Sequence, residues 1–242
     1  MRKIELILEN NNYFIREAFN TLRTNILFSG RDIKTIIMTS CIAHEGKSTV
    51  SFELCRSLAE GGKRVLMVDA DLRKSVLATR ITKERGITGL SQLLSGQIGI
   101  EDAIYQTNVP NLDVIFAGPY PPNPTELVGS AAFKELLDAK RSAYDYIIVD
   151  SAPLGMVIDA AVMASVCDGA VLVLSAGKVK YRMAQSVKSQ LEKSGCKLLG
   201  VVLNQPDKKA SSGSGAYQAY GNNYNKAYYA STKSAATTDT KK

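Results

Sequence analysis

No apolar stretch in this chain approaches the roughly eighteen residues needed to cross a bilayer, and Met1-Arg2-Lys3 is not followed by the apolar segment of a secretory leader. A cytoplasmic protein is expected. Cysteine is sparse: Cys41, Cys55, Cys167 and Cys196 lie scattered without a C-x-x-C pair, and the chain has 1 histidine to join them. That argues against a zinc site or a disulfide framework and for buried free thiols. A surplus of charge for nucleic acid is also missing, although the formal net charge is +7. The last 38 residues hold six lysines against Asp207 and Asp239, so they carry +4 of it and leave the body only +3. No nucleic-acid partner is expected.

What is present is enough apolar material for one sizeable core, 45% of 242 residues, and one α/β domain fits that length better than two. The stretch that organises it is Thr39 to Thr49, with Ala43-His44-Glu45-Gly46-Lys47-Ser48-Thr49 at its centre. Upstream, Lys34 to Met38 reads as a short buried strand. Downstream, Val50, Leu54 and Leu58 recur at helical spacing. A strand, a tight loop and a helix N-terminus gather backbone N–H groups and the positive end of the helix dipole around one point, which suits a phosphate. Lys47 would reach the outer phosphates and the Ser48 hydroxyl would take a magnesium ion. The full G-x-x-x-x-G-K-[ST] pattern wants glycine where Cys41 stands. A basic turn capping a helix is the alternative for this stretch alone.

Further acids end later strands. Val65 to Val68 runs into Asp69-Ala70-Asp71-Leu72-Arg73, and two carboxylates beside a phosphate need a cation, which magnesium supplies. The pair could instead cap the following turn. Tyr146 to Val149 runs into Asp150-Ser151-Ala152-Pro153. Open parallel sheets bind ligands outside the C-terminal ends of their strands, so these acids and the loop would share one rim.

Around these motifs the pattern predicts a helix over 13–28, a loop and short helix over 86–96, and a helix near Glu101 to Tyr105. It continues with a strand over Leu112 to Phe116, a stiff loop from Gly118 to Leu127 and a helix over Ala131 to Arg141. Gly169 to Ser175 and Leu198 to Asn204 read as strands, with a helix over Tyr181 to Lys193 between them. Alternating strands and helices imply a mostly parallel sheet with helices on both faces. From Gln205 onward there is no Leu, Ile, Val, Phe or Met, and residues 205–242 read as a disordered tail. Tyr217, Tyr220, Tyr224, Tyr228 and Tyr229 cluster there; a sticky low-complexity tail is the alternative.

Together, the phosphate loop, Asp69-Ala70-Asp71-Leu72-Arg73 and Val149-Asp150-Ser151-Ala152-Pro153 resemble the bacterial protein-tyrosine kinases of capsule and exopolysaccharide synthesis, the cytoplasmic CpsD/CapB-like type. The likeness runs from about Glu17 to Asn204 and includes Pro121 to Ser130. It implies a P-loop NTPase fold over 1–204 and ATP-dependent autophosphorylation on the five tail tyrosines. It also implies a homo-oligomer and a membrane-anchored activator or polysaccharide co-polymerase protein that recruits the kinase to the membrane's inner face. By the same likeness Lys47 holds the phosphates, Ser48 and Asp71 ligate Mg2+, and Asp150 completes the metal shell. Asp69 would accept the tyrosine proton, Arg73 would help bind or regulate the site, and Asn204 would contact adenine. The family's subunit-contact motif E-x-x-R-x-x-R is matched at Glu17 and Arg23, with Asn20 in place of the middle arginine. Ala43-His44 stands where Pro-Gly is common. Two rivals stay open: a nucleotide-switch ATPase of the partition or septum-placement type, and a non-catalytic regulatory module.

Overall fold

The computed structural model describes residues 2–8 and 13–205. In chain order its elements are β1 (Arg2–Ile4), α1 (Tyr13–Phe28), β2 (Thr35–Ser40), α2 (Lys47–Glu60), β3 (Val65–Asp69), α3 (Leu77–Ile81), α4 (Leu90–Leu94), α5 (Ile100–Ala103) and β4 (Ile104–Thr107). There follow β5 (Leu112–Ile115), α6 (Pro124–Val128), α7 (Ala131–Lys140), β6 (Tyr146–Asp150), α8 (Asp159–Ala164), β7 (Gly169–Ser175), α9 (Tyr181–Lys193) and β8 (Lys197–Asn204). The strands form one 8-stranded sheet in the order β1-β4-β5-β3-β6-β2-β7-β8. Every neighbouring pair is parallel except β4 with β5.

The central strands are buried along their whole length because helices cover both sides, which is why they read as continuous apolar runs. Successive side chains still divide between the faces. Ile37, Leu66, Val68, Ile147 and Val149 enter the layer beneath α4, α7, α8 and α9. Ile36, Met38, Val65, Met67 and Ile148 enter the layer beneath α1 and α2, where Leu54 and Leu58 are fully buried. From β2 the chain crosses over β6 to reach β3, and from β6 it crosses back over β2 to reach β7. The direction of winding therefore reverses at β2 and β6, the place where such sheets hold ligands.

The predicted mostly parallel sheet with helices on both faces is the fold found. The helix expected near Glu101 to Tyr105 is corrected: α5 ends at Ala103, and Ile104 and Tyr105 turn into β4 opposite Ile115 and Val114. Burial of those two side chains in the sheet outweighs helix propensity. The stiff loop expected up to Leu127 is also shortened, because Pro124 opens α6 at a position where its missing N–H costs nothing. Cys41, Cys55 and Cys196 are buried free thiols, and Cys167 is half-buried. Among the described residues no helix is long and apolar enough to cross a membrane. The tail and its tyrosines lie outside the described residues, except Gln205.

Helix α1 buries only Ile26 and leaves Tyr13, Phe14 and Phe28 largely exposed. The residues of the expected subunit-contact motif have partners within the chain. Asn20 donates to Glu17 at 3.0 Å, and Arg23 donates to the Ser57 carbonyl on α2 at 2.8 Å. Arg23 thus fastens α1 to the protein's own core.

Candidate active site

Strand β2 is anchored at its end by Thr39, whose hydroxyl donates to the Ala152 carbonyl at 3.1 Å, joining it to the exit of β6. The chain then bends through residues 41–46 into α2. Gly46, the residue before the helix, has φ 82, and His44 has φ 64. Both lie in the left-handed region, which glycine enters freely and histidine at a cost. Cys41 is not in that region. The glycine of the full motif is therefore not required there for backbone freedom. The first N–H groups of α2 have no acceptor within the helix, which leaves them available to an anion at its N-terminus.

Strands β3 and β6 end side by side with Asp69 opposite Asp150. The Lys47 ammonium lies 2.7 Å from Asp150 Oδ1 and 3.2 Å from the Ser48 hydroxyl, and only 6% of its side chain is exposed. Ser51, one helical turn after Lys47, lies 2.8 Å from the same Asp150 oxygen. Ser75 donates to Asp69 Oδ2. The remaining oxygens, Asp69 Oδ1 and Asp150 Oδ2, are buried without a hydrogen-bond partner. Burial, and next the charge of Asp150, push Asp69 up to about 7; the Ser75 hydrogen bond and Lys47 pull against that rise, and Asp71 adds to it.

Two stranded acidic oxygens at one rim are costly unless a cation or proton joins them. Among the described residues no group of three or more His, Cys, Asp or Glu could hold a metal alone. Magnesium in phosphoryl-transfer sites is held by one or two carboxylates together with phosphate oxygens and water, so the residues present fit it. Asp71 lies just outside β3, half-buried, and accepts the Lys74 amide at 3.0 Å.

The structure thus brings together Lys47, Ser48, Asp69 and Asp150, with Asp71 close enough to act on Asp69's charge. Ala43, His44 and Thr49 are exposed at the mouth, and Arg80 donates to the Thr49 hydroxyl at 3.0 Å. Asn204 stands at the end of β8, where its side-chain amide donates to the Glu45 carbonyl at 2.9 Å. Glu45 points inward instead of lining the mouth: it is 1% exposed and accepts the backbone N–H groups of Cys41, Ile42 and Ser175.

Arg73, expected to help bind or regulate the site, pairs with a helix later in the chain. It is committed away from the acids of β3 and β6, with Nε 2.6 Å from Asp159 Oδ2 and Nη2 2.7 Å from the Thr125 hydroxyl. Burial works to raise the Asp159 carboxyl, but the Arg73 and Thr125 hydrogen bonds outweigh it and hold it below the usual range. Arg73 is thus a clamp between the exit of β3, α6 and α8.

Sequence reasoning missed Ser51, Ser75, Thr125, Asp159 and Gly155. Ser51 had a signal, its i+4 spacing from Lys47. Gly155 had none: a Cβ there would lie 2.2 Å from the Cys41 carbonyl oxygen, so only glycine lets the third motif close against the loop.

Known proteins share much of this sequence and fold. A family model described as "AAA domain" matches residues 33–183. The tyrosine-protein kinase CpsD of Streptococcus agalactiae is 45% identical over 206 residues, 85% of this chain and 88% of that protein. The crystal structure of the chimerical protein CapA2B2 superposes with a TM-score of 0.76 at 32% identity, covering 86% of this chain and 95% of that one. The septum site-determining protein MinD of Pyrococcus horikoshii, complexed with Mg-ADP, superposes less closely, with a TM-score of 0.60 at 25% identity and 72% of each chain covered.

Proposed function

The chain is a protein-tyrosine kinase of the bacterial family represented by CpsD, and from that premise we propose that it transfers the γ-phosphoryl group of ATP to Tyr217, Tyr220, Tyr224, Tyr228 and Tyr229 of its own C-terminal cluster. The observation that carries the reading is the buried Lys47–Asp150 contact of 2.7 Å, set beside Asp69 at the strand ends.

Phosphoryl transfer needs little covalent help from a protein; positioning and charge neutralisation supply most of it. The loop amides and the α2 N-terminus receive the phosphates, and Lys47 exchanges its contact with Asp150 for the phosphate oxygens. Ser48, Asp71 and Asp150 are the groups that would hold magnesium, which when bound neutralises phosphate charge. Asn204 meets the adenine at the far side of the loop. Asp69 receives the tyrosine hydroxyl proton on Oδ1, since Oδ2 is engaged by Ser75. A carboxyl raised toward neutrality is a better match to that task than an ordinary one.

The substrate tail lies on a neighbouring subunit. The tyrosines fall 12 to 24 residues beyond Gln205, and a flexible chain of that length averages about 17–30 Å end to end. Five phosphates add about −8 to −10 to a tail of +4, so modification reverses its sign and loosens the assembly. A membrane-anchored activator recruits the kinase to the membrane, where it regulates capsule or exopolysaccharide synthesis and export.

Purified full-length protein with γ-labelled ATP and Mg2+ tests the reading. Label on tail tyrosines supports it, release of free phosphate alone would favour the nucleotide switch, and neither would leave a non-catalytic module. Mixing a Lys47→Met chain with a tail-deleted active chain tests direction: label on the Lys47→Met chain is expected, and its absence would place transfer within one chain.

A further inference from the structure

Glu45 is a puzzling residue to bury beside a phosphate site, because its charge repels the ligand. Its surroundings explain it. The side chain is 1% exposed, and Oε2 lies 2.7 Å from the Cys41 N–H and 2.8 Å from the Ile42 N–H, both at the start of the loop. Oε1 lies 2.9 Å from the Ser175 N–H at the end of β7. The Glu45 carbonyl in turn receives the Asn204 side chain from the end of β8 at 2.9 Å. One residue therefore ties the loop to both strands on that side of the sheet. A charged acceptor with several N–H donors binds them strongly, and burial strengthens the bonds further.

We infer that Glu45 is the positioning residue of the phosphate loop, an internal anion that bends the loop before nucleotide arrives. The amides of Cys41 and Ile42 are occupied by its carboxylate, so the donors left to the phosphates belong to the second half of the loop and to the α2 N-terminus. Repulsion from the same carboxylate confines the phosphates to that half. The ordering of the loop is settled on folding and not charged against nucleotide binding, which is how preorganisation raises affinity. The departure at Cys41 follows: its N–H serves Glu45, and no left-handed glycine is needed there.

The inference rests on the reading that the chain binds ATP, and the test separates the two. Titration of full-length wild type and Glu45→Gln with a fluescent ADP analogue and Mg2+ reads affinity, and steady-state kinetics read KM and kcat. The amide side chain of glutamine turns an NH2 toward an N–H donor, so affinity is expected to weaken and KM for ATP to rise about 10- to 100-fold. The kcat should stay within about threefold, with Tm lower by no more than about 5 °C. Affinity within twofold of wild type would overturn the inference, as would a loss of kcat and Tm that leaves KM unchanged. If wild type itself binds no nucleotide, the functional reading fails. Hydrogen exchange on nucleotide-free wild type then still decides the brace: slow exchange at the amides of Cys41, Ile42 and Ser175 supports it, and exchange at open-loop rates overturns it.

Discussion

Asp69 and Asp150 stand opposite each other on neighbouring parallel strands, and each keeps one buried oxygen without a hydrogen-bond partner. Lys47 balances one of the two carboxylates at rest. The second is held by a serine hydroxyl and by its raised affinity for a proton.

The first prediction concerns Asp69, raised from 3.8 to about 7 chiefly by burial. A carboxyl with a higher folded than unfolded value keeps its proton longer in the folded state, so the protein without nucleotide loses stability as pH climbs between these two values. Asp69→Asn removes that loss. Calorimetry should show its Tm flatter than wild type across the window and higher above it. The same variant should phosphorylate its tail about 100- to 10,000-fold more slowly with nucleotide affinity retained. Full phosphorylation by Asp69→Asn would discard Asp69 as the proton acceptor.

Arg73 and Asp159 form a clamp with one buried member, 3% exposed against 34% for the arginine. Removing one partner of a buried pair costs about 3–5 kcal/mol, and the exposure of Arg73 places Arg73→Ala near or below the low end. Tm should fall by several degrees. Because the clamp steadies the exit of β3, kcat should fall more than KM for ATP rises. Asp159→Asn added to Arg73→Ala should recover part of the stability, and a strictly additive double mutant would deny the coupling.

Acid sensitivity has a defined source in Asp168, which accepts the amides of Lys34 and Thr35 at 2.9 and 2.7 Å and pairs with Arg141. Burial works to raise its carboxyl, but the Arg141 and amide hydrogen bonds prevail and hold it below 3.8. A depressed carboxyl contributes stability above its unfolded value and loses it as pH falls through the folded one. Urea midpoints of wild type and Asp168→Asn should therefore differ at neutral pH, and the gap should narrow as pH falls below 3.8. A gap independent of pH would refute the assignment.

His44 holds φ 64 in the loop. Replacing a non-glycine residue there by glycine relieves left-handed strain, partly offset by the greater freedom of glycine when unfolded, so His44→Gly should gain about 0.5–1 kcal/mol. Thermal denaturation should show a rise of a few degrees, and a fall would mean that the ring makes a contact worth more than the strain.

Much of the site was legible because its groups end apolar runs. Asp69 and Asp150 close buried strands, and Gly46-Lys47-Ser48 opens a helix, so chemistry and periodicity mark the same points. What stayed hidden depends on partners distant in the chain. Arg73 sits in sequence beside two acids, and nothing there shows that its partner is Asp159, 86 residues on. Ile104 and Tyr105 continue a helical pattern until β5 offers an antiparallel partner. Glu45 reads as one more member of the phosphate loop, and only the packed loop shows three backbone donors turned on it.

The contact between Lys47 and Asp150 bears on how the site discriminates among small anions. A lone orthophosphate or sulfate that drew the ammonium away would leave the Asp150 charge in a dry setting with only the Ser51 hydroxyl for company, and that penalty makes such ions poor competitors. A polyphosphate accompanied by its own divalent counter-charge leaves no such debt. Occupancy by cellular background salts is thereby discouraged without any gate or lid.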